Sequence, residues 1–137
     1  MRILIWVISM TTMSVLASSK SDASFQQLSE MKWQYRILLI QDRPDYQQTL
    51  TNASEEMADR HLVWFLVLPN RVVSNLSDSV PEPLQQDIRQ RILDKPVVLI
   101  GKDGGIKMRE ERLSLPSIFS TIDSMPMRQA EMNSKLL

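Results

Sequence analysis

The chain has 137 residues, with 16 Lys and Arg against 16 Asp and Glu, one histidine and no cysteine. Balanced charge argues against long-range steering to nucleic acid or to an anionic membrane. The absence of cysteine excludes thiol exchange, thiol peroxidase and glutathione-linked chemistry that needs a protein thiol.

Met1 and Arg2 are followed by an apolar stretch from Ile3 through Leu16, interrupted by Ser9, Thr11, Thr12 and Ser14. This order of charge and apolar run, closing on Val15-Leu16-Ala17, is that of a secretory signal peptide cleaved after Ala17. A retained N-terminal anchor is the alternative. Without cysteine there is no residue to lipidate, and once the leader is removed no stable membrane span is expected. Residues 18–31 read as a linker with a weak helix from Phe25 to Lys32, residues 32–132 as one domain, and residues 133–137 as a tail.

Three short apolar runs then punctuate the chain: Ile37-Leu38-Leu39-Ile40, Leu62 to Leu68, and Val97-Val98-Leu99-Ile100. Each is too short for a helix and rich in branched or bulky residues, as a strand buried on both faces should be. Ile106-Lys107-Met108-Arg109 alternates apolar with basic residues, as an edge strand does. Gly101, Asp103, Gly104 and Gly105 lie between the last two runs and predict a hairpin turn.

Helical spacing fills the gaps. Tyr46, Leu50, Ala53 and Met57 predict one helix capped by Asp45. Ser79-Val80-Pro81-Glu82 reads as a capping box ahead of Leu84, Ile88 and Ile92. Leu115, Ile118, Phe119, Ile122 and Met125 predict a last helix that starts at Ser114 and stops before Pro126. The expected fold is therefore α/β, with a central mixed sheet of about four strands flanked by helices and a C-terminal hairpin plus helix.

That order resembles the core of the thioredoxin-like fold. Lys95-Pro96 before the third strand sharpens the likeness, because such domains carry a cis-proline there, and a cis peptide before Pro96 is expected. The resemblance implies a site in the loop after the first strand, here Gln41-Asp42-Arg43-Pro44-Asp45, facing Pro96. Arg43 near helix-terminal N–H groups offers an anion site, whereas a solvated pairing with Asp42 or Asp45 is the plainer explanation.

Other features are weaker. His61 has no second His or Cys to complete a zinc set, so a structural role is expected and no metal or cofactor is called for. Met125, Met127 and Met132 suit packing better than Cu(I) binding. Asn52-Ala53-Ser54 and Asn75-Leu76-Ser77 fit the glycosylation pattern, which short matches often do by chance.

Two blocks carry a more specific likeness: Val98 to Arg109, and Ile122 to Met132, with weaker agreement at Arg36 and Asp59-Arg60. They resemble an uncharacterised domain family found in short exported bacterial proteins and, as the P-Sro domain, in vertebrate secreted matrix proteins. The resemblance implies a thioredoxin-like fold and export, and no catalytic residue comes with it. Pro126 is explained by helix termination. Arg128 and Glu131 have no local explanation, and either clamp the C-terminal segment by ion pairs or belong to a binding surface. The leading reading is a redox-inactive binding or structural module, periplasmic or extracellular, whose partner is a protein or an anionic ligand. The alternative is a thiol-independent enzyme acting on an anionic substrate at Asp42, Arg43, Pro44 and Pro96.

Overall fold

A computed structural model describes residues 25–136, so the proposed leader and cleavage site lie outside the described residues. The three apolar runs form β1 (Arg36–Gln41), β2 (Leu62–Val67) and β4 (Val97–Ile100), each buried along nearly its whole length. β5 (Ile106–Glu110) is the exposed edge strand its alternation predicts. A strand not foreseen, β3 (Val72–Ser74), closes the other edge.

The sheet order is β3-β2-β1-β4-β5. β1 and β2 are parallel, and every other pairing is antiparallel. β4 thus enters antiparallel beside β1, and the architecture is a five-stranded mixed sheet consistent with a thioredoxin-like α/β fold. The edge beyond β3 is continued by a side chain. Asn75 accepts the Trp64 N–H at 2.9 Å and donates to the Leu62 carbonyl at 3.2 Å. This asparagine completes the β2 ladder, which commits its amide.

Strand alternation sorts the core into two layers. Ile37, Leu39, Val63, Phe65, Val98 and Ile100 face Leu84, Ile88 and Ile92 of the segment around α3 (Glu82–Arg91), together with Leu28 and Met31 of a 3-10 turn. Leu38, Ile40, Trp64, Leu66, Val97 and Leu99 face the opposite helices, α1 (Tyr46–Asn52), α2 (Ser54–Asp59) and α4 (Leu115–Asp123).

Several local expectations are corrected. The helix predicted across Tyr46, Leu50, Ala53 and Met57 is broken at Ala53, although Leu50, Ala53 and Met57 all stay buried on one face. Asp45 makes no side-chain cap; it sits in the left-handed region at φ 71. The capping box fails too, because α3 starts after Pro81 and Ser79 only accepts a hydroxyl proton from Ser77 through its carbonyl. No cis peptide occurs among the described residues, so Pro96 is trans. Its carbonyl accepts the Gln41 N–H at 2.8 Å, so the β1–β4 pairing is satisfied with the ordinary isomer.

Pro126 does not merely end a helix. It occupies the first turn of α5 (Pro126–Ser134), where the missing N–H would have had no partner anyway. The hairpin turn behaves as read: Gly101 N–H donates to the Gly105 carbonyl at 2.8 Å, Gly105 N–H donates to the Asp103 carboxylate at 2.9 Å, and Gly104 supplies the positive φ of 84.

Candidate functional site

Asp42 N–H donates to the Val67 carbonyl and Gln41 N–H to that of Pro96, which places Asp42 and Arg43 at the same sheet end as Pro96. Asp42, Arg43 and Pro44 are exposed and Pro96 is half-buried. Cavities of about 800 Å³ against α2 and α4 and about 580 Å³ beside α5 lie away from this loop. The Glu111 carboxyl is held low first by its hydrogen bond from Lys95 and to a lesser degree by the charge of Arg43.

Arg128 and Glu131 lie at the opposite end, separated from that loop by the length of β1, roughly 17 Å. Here Arg36 opens β1, His61 precedes β2, and Lys102 follows β4. The single carboxylate of Glu131 holds two buried cations. Arg36, 1% exposed, donates Nη1 to Oε2 at 3.1 Å and Nη2 to Oε1 at 3.3 Å. Lys102, 8% exposed, reaches Oε1 at 2.6 Å. Burial works to raise the Glu131 pKa, but the hydrogen bonds from Lys102 and Arg36 outweigh it and hold the group below its ordinary value.

A second cluster adjoins the first. Arg128, 3% exposed, donates to Asp59 at 2.7 Å and to Asp123 at 3.0 Å. Asp123 also accepts two bonds from Arg60, whose guanidinium lies 4.4 Å over the Phe119 ring. Asp59 pairs in addition with Lys135. Hydrogen bonds from Lys135 and then Arg128 take Asp59 down to about 2. The carbonyls that end α2 are used as well: Asp59 accepts from Arg128 and Arg60 from Arg36, both at 2.9 Å. Cations thereby satisfy the orphan carbonyls of a helix C-terminus, where the dipole favours them.

Arg128 and Glu131 are therefore a clamp that locks α5 to the domain, Glu131 onto Arg36 and Lys102 at the sheet end and Arg128 onto Asp59 of α2 and Asp123 of α4. Arg128 is the only buried residue of α5, so the helix docks by charge more than by an apolar stripe. Arg36, Asp59, Arg60, Lys102, Arg128 and Glu131, dispersed along the sequence, meet at this one place. Sequence reasoning assigned no role to Lys102 and only a structural one to His61. The signal that was present is the isolated basic residue at the end of an otherwise apolar strand, seen at both Arg36 and Lys102.

Two residues flanking the cluster adopt left-handed backbone. Trp33 (φ 69) is 65% exposed and donates its N–H to the Lys102 carbonyl at 2.7 Å. His61 (φ 50) places Nδ1 2.8 Å from Lys102 Nζ. Bulky residues hold this conformation at a cost, and such strain concentrates at functional surfaces. Burial first, and then the Lys102 charge, lower the His61 pKa, against the pull of Glu131. A lysine ammonium can only donate, so the 2.8 Å contact requires an unprotonated Nδ1, which puts the proton of the neutral imidazole on Nε2. Because the chain has one histidine, an NMR titration is unambiguous: its midpoint is expected below the ordinary 6.5, with Nδ1 unprotonated at neutral pH. A midpoint above 6.5 would mean that Glu131 governs the ring and would overturn this assignment.

Fold and cluster together define a cysteine-free α/β domain of mixed five-stranded architecture whose C-terminal helix is locked down by buried ion pairs. The chain belongs to a family described as a domain of unknown function, DUF4174, which matches residues 27–131. Neither a curated protein nor a solved structure matches it. The matched span includes every residue of the ion-pair clusters except Lys135.

Proposed function

We propose that this chain is a P-Sro-type member of the thioredoxin-like superfamily, exported with removal of residues 1–17, which acts by binding rather than by thiol chemistry. Its binding end is the one where β1 and β2 begin and β4 ends, not the loop at Asp42 and Arg43. One observation carries this reading: Arg36 and Lys102, buried on Glu131, form part of the wall of a cavity of about 580 Å³ beside α5. The strained, exposed Trp33 and the half-exposed His61 stand at the same end.

Two measurements test it. Intact mass spectrometry of the exported fraction should find a chain beginning at Ser18; a chain found only in the cytoplasm at full length overturns export. Affinity capture from that fraction should recover partners that Arg43→Ala retains and Lys107→Glu loses. Loss by Arg43→Ala with retention by Lys107→Glu would move the site back to the Pro96 end.

A further inference from the structure

The cavity beside α5 is unusual in its donors. Arg36 contributes to its wall with both Nη groups occupied, by Glu131 and by the Arg60 carbonyl, while its buried Nε–H has no acceptor. A buried donor left unpaired is destabilising unless something accepts from it. Lys102 uses two of its three ammonium protons, on Glu131 and His61. Lys107 stands on the same wall, its ammonium partly occupied by Asp103 at 2.9 Å.

The fourth contribution comes from α5, which is nine residues long and has no side-chain cap. Pro126 has no N–H, and among the described residues the N–H groups of Met127 and Arg128 meet no acceptor; the next amide, Gln129, bonds back to Met125. Pro126 and Met127 line the cavity, so the positive end of the helix opens on it. Around this space stand three cations, Arg36, Lys102 and Lys107, against two carboxylates, Asp103 and Glu131. One positive charge is in excess, before the helix dipole is added.

Resting on the binding reading above, we propose that this cavity is a site for a small tetrahedral oxyanion of the phosphate or sulfate type, free or as a monoester. Lys102, Lys107 and the first turn of α5 bring donors to the space from three separate elements, and Arg36 adds its charge to the wall, which suits a tetrahedral anion. A planar carboxylate would seek the paired Nη face of Arg36, and Glu131 already holds it.

Titration calorimetry on the chain as purified from cells tests this, at constant ionic strength set with sodium chloride. The ligands are inorganic phosphate, sulfate, glycerol 3-phosphate and acetate. Phosphate and sulfate should bind saturably, and acetate at least tenfold more weakly. Tighter binding of glycerol 3-phosphate than of phosphate identifies a monoester headgroup, and equal or weaker binding identifies the free ion; both support the site.

Met127→Glu places a carboxylate at the cavity mouth, in a helix first turn that accepts it. It should weaken phosphate binding at least tenfold while the far-ultraviolet circular dichroism is kept, and Met127→Gln should stay within threefold of the wild type. No saturable binding of phosphate or sulfate, acetate as tight as phosphate, or an unchanged Met127→Glu each overturns the oxyanion site. If phosphate fails but Lys107-sensitive capture persists, the oxyanion assignment alone falls; if both fail, the binding reading falls with it.

Discussion

Replacing Glu131 with alanine lowers the unfolding free energy by about 3–5 kcal/mol, the range found when one partner of a buried ion pair is removed. The reason is what remains. Arg36 is 1% exposed and Lys102 8%, and both lean on this one carboxylate. Without it two cations stay buried with no counter-charge, and α5 loses half of the clamp that docks it. For a domain of this size the melting temperature falls by more than about 10 °C. Thermal and urea unfolding measure the effect directly.

The cause is separable from simple loss of side-chain contacts by a double-mutant cycle. Lys102→Met removes one of the stranded cations, so Glu131→Ala combined with Lys102→Met should be more stable than the two single losses predict when added. A loss below about 1 kcal/mol for Glu131→Ala, or strict additivity in the cycle, would show that the network is not coupled as its geometry implies.

What the sequence revealed and what it concealed divide along physical lines. The buried strands β1, β2 and β4 were legible because a strand covered on both faces is apolar without interruption. β3 was not, since three residues make no run and its continuation depends on the Asn75 side chain. α5 escaped notice because helices are read from an apolar stripe, and this one buries an arginine instead. Pro126 compounded the error, since a proline that closes one helix is equally suited to open the next.

The site divided similarly. That the Asp42-Arg43 loop lies at the Pro96 end is legible from strand order alone, which brings those ends together. The sequence leaves the role of Arg128 and Glu131 open between clamp and surface, because their partners Asp59 and Arg36 lie 69 and 95 positions away in the chain and only tertiary contact joins them. Lys102 is hidden in the sequence because it sits in a turn that the glycines around it account for completely.

Acid should unfold this domain earlier than its apolar core alone would suggest. Glu131, Asp59 and Asp123 all lose their protons more readily in the folded chain than in the unfolded one, for Asp123 mainly because of the Arg60 hydrogen bonds. Between the two values the unfolded chain binds more protons, so stability falls as pH falls. The contribution is complete above about pH 5, begins to erode near the ordinary carboxylate values of 4.5 and 3.8, and for Asp59 is exhausted only near pH 2. His61 acts in the same direction and earlier. Its imidazole is harder to protonate when folded, so stability starts to decline once pH passes below 6.5.

The three carboxylates are not equal. Asp59 is 45% exposed and water and salt screen its pairs, whereas Glu131 is 20% exposed between buried cations. The acid sensitivity therefore belongs chiefly to Glu131. Urea unfolding at pH 7, 5, 4 and 3 should show a steady loss for the wild type. Glu131→Gln should start less stable at pH 7 and follow a visibly flatter line, and 1 M salt should alter the wild-type slope only modestly. A wild-type stability that stays level from pH 6 to pH 3 would mean that the clamp survives protonation, and that hydrogen bonding rather than charge holds α5 in place.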